Sequence, residues 1–236
     1  MINNMKNQKG ITLIELMVAL VVGIIIMGAV YSVMNTGQKS SASIARKVLT
    51  QQDARAVLNL MTLEIRMASF NPQLKADLWT GNPSSSSGSC ADYTFVAERK
   101  GLQIAGENQI LVAMDLNADE KIGHPGENEY IRYTYENNQI RRRVGCGNNM
   151  TILGGAGSGT RVINDDAGTS LFQYFDAIGT APMTLPLTNS QIDSIRRIRI
   201  TIVTEIENQT KPFHVSQKTY TTDILVRNHA LDEFYD

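Results

Sequence analysis

Hydrophobic and polar positions divide the chain into three regimes. Residues 11–34 are apolar almost without interruption, with Glu15 the one charged side chain in the run. A helix of about 20 apolar residues spans a bilayer, so this run predicts a membrane-crossing anchor. The pattern then turns polar through residues 40–52, and no proline appears before Pro72. Val57, Met61, Ile65 and Ala68 follow at spacings of four and three, with Leu58 and Leu60 widening the stripe. That periodicity predicts the continuation of one long helix to about residue 69, with an apolar face that carries a globular domain. Asn71 and Pro72 supply its stop.

Beyond the helix the period changes. Runs rich in β-branched and aromatic residues at 93–98, 109–114, 129–136, 139–144, 171–176, 195–205 and 219–226 predict an antiparallel sheet. Asn137 and Asn138 both tolerate positive φ, so residues 130–144 read as a hairpin closed by a two-residue turn. Residues 76–89, with Gly81, Pro83 and four consecutive serines, read as a surface loop, and the glycine-rich stretch 154–159 as another. The expected fold class is α+β, a long N-terminal α-helix packed on an antiparallel β-sheet domain. Its expected parts are a leader (1–10), a transmembrane helix (11–34), an amphipathic continuation (35–70) and a β-rich domain (71–236).

The 236 residues suit one anchor and one globular domain. Lys and Arg number 22 against 23 Asp and Glu, a net charge of -1, so no basic field is available to hold a phosphate backbone and nucleic acid is not an expected partner. Arg141, Arg142 and Arg143, like Arg196, Arg197 and Arg199, are split between two faces by strand alternation. They read as solvated strand faces and subunit salt bridges. Lys6 and Lys9 flank the apolar run and keep the short N-terminal side in the cytoplasm, so everything after residue 34 is exported. Gly10 stands before the apolar run, whereas a secretory signal has its small-residue cleavage site after it, so the anchor survives processing. Cys90 and Cys146 both fall in the exported part, where a disulfide is permitted, and they are expected to pair.

Asp115, Asn117 and Asp119 place oxygen side chains at alternate positions, like the opening of a calcium loop. Glu120 then stands where such a loop needs glycine and Gly126 where it needs a closing glutamate, although Glu127 and Glu129 are near. A solvated acidic turn fits these residues better than a calcium site, and no other cofactor is expected. His124, His214 and His229 lack metal-ligand spacing, and no nucleophile motif of an enzyme appears.

Lys9, Gly10, Ile11, Thr12, Leu13, Ile14, Glu15 and Leu16 resemble the prepilin peptidase site K-G-F-T-L-I-E-L of type IV pilins and type II secretion pseudopilins. The resemblance implies cleavage between Gly10 and Ile11, N-methylation of Ile11, and retention of the apolar helix as membrane anchor and later filament core. Ile11 departs from the phenylalanine usual there. A lone carboxylate in an apolar helix costs several kcal/mol unless paired. Cleavage creates an ammonium one turn before Glu15, and a neighbouring subunit's amine can neutralise it.

Residues 172–179 (F-Q-Y-F-D-A-I-G), the Arg-alternating strand 195–205 and residues 221–228 (T-T-D-I-L-V-R-N) resemble the PilW-like minor pilins, which share their architecture with J-type pseudopilins. Residues 11–34 lack the proline common in major pilins, which with the large domain favours a minor subunit. The resemblance implies no catalysis. It implies a single-pass inner-membrane precursor with its domain in the periplasm, later at the pilus or cell surface. Its partners would be major and minor pilins, the prepilin peptidase and the assembly platform. A J-type pseudopilin and a tip adhesin remain alternatives, and a membrane-anchored enzyme the rival class.

Overall fold

The computed structural model describes residues 10–75, 77–80, 94–122, 128–145, 147–155, 158–206 and 216–230. The chain forms two compact units, Met1–Ala45 and Arg46–Asp236. A single helix, α1 (Leu13–Arg66), contributes to both.

In the first unit, Thr12 starts α1. Its backbone N–H and Oγ1 both donate to Glu15 Oε2 at 2.9 Å, while Glu15 N–H donates to Thr12 Oγ1 at 3.3 Å. This capping box satisfies two of the donors that a helix start leaves open. Every side chain from Ile11 to Met34 is exposed. Gly23 and Gly28 have nothing within 4 Å of a Cβ built on them, so neither marks a close approach within the chain.

In the second unit, Val57, Met61 and Ile65 are buried on α1 and Ala68 just beyond it, as the periodicity predicts; Ala54 joins them, and Leu58 packs partly against the same core. Leu60, expected to widen the stripe, is exposed. It sits one residue before Met61, and a 3.6-residue turn rotates it away from the sheet. The helix also stops at Arg66, six residues before Pro72. Ser69 takes a left-handed φ of 63° and gives its N–H to the Ala113 carbonyl at 2.9 Å, so the sheet captures the chain before the proline acts.

The strands form two antiparallel sheets where the sequence predicts one. The first runs in order β1 (Leu102–Ala105), β2 (Gln109–Ala113), β3 (Tyr130–Glu136), β4 (Gln139–Val144), β5 (Met150–Gly154). Asn137 and Asn138 have φ of 52° and 60°, the conformation of the two-residue turn read from the sequence. Alternation divides this sheet's side chains between two cores. Ile110, Val112, Ile131 and Tyr133 join the α1 stripe, while Leu111, Ala113 and Tyr130 pack with Leu78, Trp79, Phe95 and Ile122. Leu78 and Trp79 therefore leave the expected surface loop and cover the second face. Of the strand expected at 93–98, the described residues 94–96 are irregular and lead into a 3-10 turn, Ala97–Arg99.

The second sheet is built on β8 (Arg197–Ile206). β9 (Ser216–Leu225) pairs along its full length, so β6 (Thr160–Val162) and β7 (Phe172–Phe175) share the opposite edge, at its two ends. Thr50 of α1 and Thr160 of β6 join through buried hydroxyls at 2.8 Å. A five-residue helix, α2 (Asn189–Asp193), is capped by Thr188 and Gln191.

Candidate functional site

The chemistry-bearing residues fall in four places. The first is the start of α1. Gly10 and Ile11 precede the helix and are exposed, so the bond between them lies in accessible, non-helical backbone. Glu15 follows on the first turn with its carboxylate held by Thr12. The signature T-x-x-E is that of a capping box, and it adds a local partner for Glu15 that the charge argument alone does not supply. From Leu13 onward α1 is long and apolar enough to cross a membrane.

The second place joins helix to sheet inside the second unit. Glu64 accepts from Arg142 Nε at 2.9 Å, from Arg142 Nη2 and from Tyr133 OH. The fork is bidentate and half-shielded, the geometry in which an ion pair gains most specificity. Burial first, and then the hydrogen bond to Glu64, push the Tyr133 phenol well above its ordinary range. The other arginines are likewise engaged. Arg141 meets Glu136, and Arg197 and Arg199 both meet Asp223 and lie 3.9 and 5.2 Å from the Phe175 ring centre. Arg196 donates to the Asp193 and Ile195 carbonyls. These contacts make the two arginine runs structural elements of the domain.

The third place was not legible in the sequence. Ser69 and His229 meet 2.7 Å apart, both buried and 160 positions apart in the chain. The Gly101 N–H donates to Ser69 Oγ at 3.0 Å, and His229 Nε2 faces the Ile192 carbonyl at 3.0 Å. A carbonyl only accepts, so Nε2 carries the proton and Nδ1 accepts from the serine. Burial lowers the imidazole below its ordinary range. Ser69 thus spends its hydrogen bonds inside the fold, and the pair has the polarity of a structural tie. Gly101 is part of it, because a Cβ there would stand 2.2 Å from the Ser69 amide nitrogen and 2.3 Å from the Ala113 oxygen.

The fourth place is the connection after β2. Asp115 is buried and Asp119 exposed, and Glu129 joins them, one carboxylate oxygen of each lying within 4.8 Å of the others. Asn117 turns its Oδ1 to the Asp119 N–H at 2.9 Å. Cys90, Cys146, His124 and His214 lie outside the described residues.

Comparison with known proteins agrees with the first of these places. A profile of the prokaryotic N-terminal methylation motif matches residues 5–31. A second profile, for prepilin peptidase-dependent protein B, matches residues 43–224. The chain belongs to the prepilin peptidase-dependent protein B family. It is a pilin-like protein of the prepilin class, and its apolar helix and motif fit membrane anchoring. No curated protein matches it by sequence. Among solved structures, a type IV-like pilin from Thermus thermophilus is similar at 9% identity and a TM-score of 0.42, over 76% of this chain and 98% of that one.

Proposed function

We propose that this chain is a minor type IV pilin of the PilW-like group, cut between Gly10 and Ile11, N-methylated at Ile11, and used in few copies to start a filament. The observation that carries this reading is the first stretch of α1, whose apolar side chains face outward on all sides behind one carboxylate. Such a surface is stable only against lipid or against other helices of its kind. Glu15 is capped by Thr12 in the single chain, and in a bundle it is placed to take a neighbour's terminal ammonium. The fold itself makes no demand for glycine at position 10, since a Cβ there meets nothing within 4 Å. The demand then belongs to the peptidase. The large domain supports a subunit used once at the tip or base, because bulk pilins must pack repeatedly along a thin fibre.

Three measurements test this. Mass analysis of the membrane form should give a chain beginning at methylated Ile11, and Gly10→Val should leave the leader attached. Glu15→Ala should be inserted and cut normally yet enter filaments poorly. Deleting the gene should reduce the number of filaments, with the protein a trace component of purified ones. Abundance near that of the main subunit, or an unchanged filament count, would refute the minor role.

A further inference from the structure

Asp115 and Glu129 stand at the two ends of the β2 to β3 connection, and Asp119 within it joins them. Their nearest oxygens lie within 4.8 Å of one another. Donors that share one calcium ion at about 2.4 Å can stand no more than about 4.8 Å apart, so this spacing suits a single ion. Asp115 is 0% exposed and Glu129 1% exposed, while Asp119 is open to solvent, which leaves a side for water ligands.

The cluster alone would be only an acidic turn. The independent observation is Asp115 Oδ1, which is buried and has no hydrogen-bond partner among the described residues. Its sister Oδ2 accepts the Glu120 N–H at 3.2 Å. A buried carboxylate oxygen without a donor is costly, and a buried charge beside two like charges is costlier. A bound cation removes both costs. The cluster offers carboxylate oxygens and neither histidine nor cysteine, which selects a hard divalent ion, and burial of two of its three carboxylates suits calcium over magnesium, which dehydrates reluctantly.

We propose that Asp115, Asp119 and Glu129 form a calcium site of the globular domain. Glu129 supplies the carboxylate that an EF-hand loop would place at Gly126. The ion would also fasten the exit of α1, because Asp115 N–H donates to the Phe70 carbonyl and Met114 N–H to that of Glu129, each at 2.8 Å.

The test uses the full chain purified in detergent and stripped with a chelator, so its outcome is independent of any role in filaments. Adding CaCl2 to a hundredfold excess over its dissociation constant should raise the unfolding midpoint by about 5 °C, with equal MgCl2 giving little change. Affinity near ~10⁻⁴ to 10⁻³ M is expected, as in extracellular modules. Asp115→Asn and Glu129→Gln should abolish the shift. Exposed Asp119→Asn should fold normally and weaken calcium about tenfold by removing one ligand charge, and it decides the matter if the buried variants do not fold. No shift by about 10 mM CaCl2, an equal shift with magnesium, or wild-type calcium binding by Asp119→Asn would overturn the site.

Discussion

Between Leu13 and Met34, α1 is apolar and nothing in its own unit covers it, with Leu13 77% and Ile24 62% exposed. Between Ala54 and Ile65 the same helix is apolar at intervals, and Ala54, Met61 and Ile65 are 0% exposed. Both stretches are rich in large aliphatic side chains, and they differ in arrangement. A periodic stripe leaves polar residues for water and lets the chain supply its own partner, whereas an unbroken run has no face to give to water. The first stretch must therefore find its partner outside its own unit, and the second secures the globular domain from within.

That contrast can be broken by experiment. The largest effect is expected from the two cysteines, which act on the globular domain alone. If Cys90 and Cys146 pair, the bond closes a long loop and should stabilise the domain by about 4 kcal/mol. Reduction should lower the denaturant midpoint accordingly, and two thiols that label freely after export would refute the bond. Next, Met61→Ala should cost about 3 kcal/mol by leaving a cavity under the sheet, whereas Leu20→Ala should leave domain unfolding unchanged. A comparable loss from Leu20→Ala would show that the two stretches are not energetically separate.

The smallest effect tests how far the domain's stability depends on burial at its end. Burial holds His229 neutral in the folded chain, while the unfolded chain takes up a proton near pH 6.5. Its contribution is thus fully present above about pH 6.5 and declines as pH falls below that value. His229→Gln should flatten this acid limb while costing about 1–3 kcal/mol at neutral pH through the lost ties to Ser69 and Ile192. An unaltered acid limb would assign the pH dependence elsewhere.

Much of this fold is legible in the sequence wherever a period is long enough to read. The α1 stripe, the Asn137–Asn138 hairpin and the long strands β8 and β9 all follow from spacing. β1, β5 and β6 do not, because strands of three to five residues at sheet edges show no more than two cycles of alternation. Leu78 and Trp79 are hidden among turn residues, and their burial depends on the far face of a sheet formed later in the chain. The methylation motif at the start of the chain is local and therefore readable, whereas the Thr12 cap emerges from the structure. The tie between Ser69 and His229 is not, nor is the arrival of Glu129 beside Asp115, since both depend on where distant segments end up.

The tie has a further meaning for how the domain comes apart. Four segments meet in it, the turn after α1 at Ser69, the approach to β1 at Gly101, α2 at Ile192 and the last described turn at His229. None can peel away singly without orphaning a buried donor or acceptor in another. The turn at His229 is thus held in the fold, and the amide of Gly101 should exchange its hydrogen only when the whole domain opens.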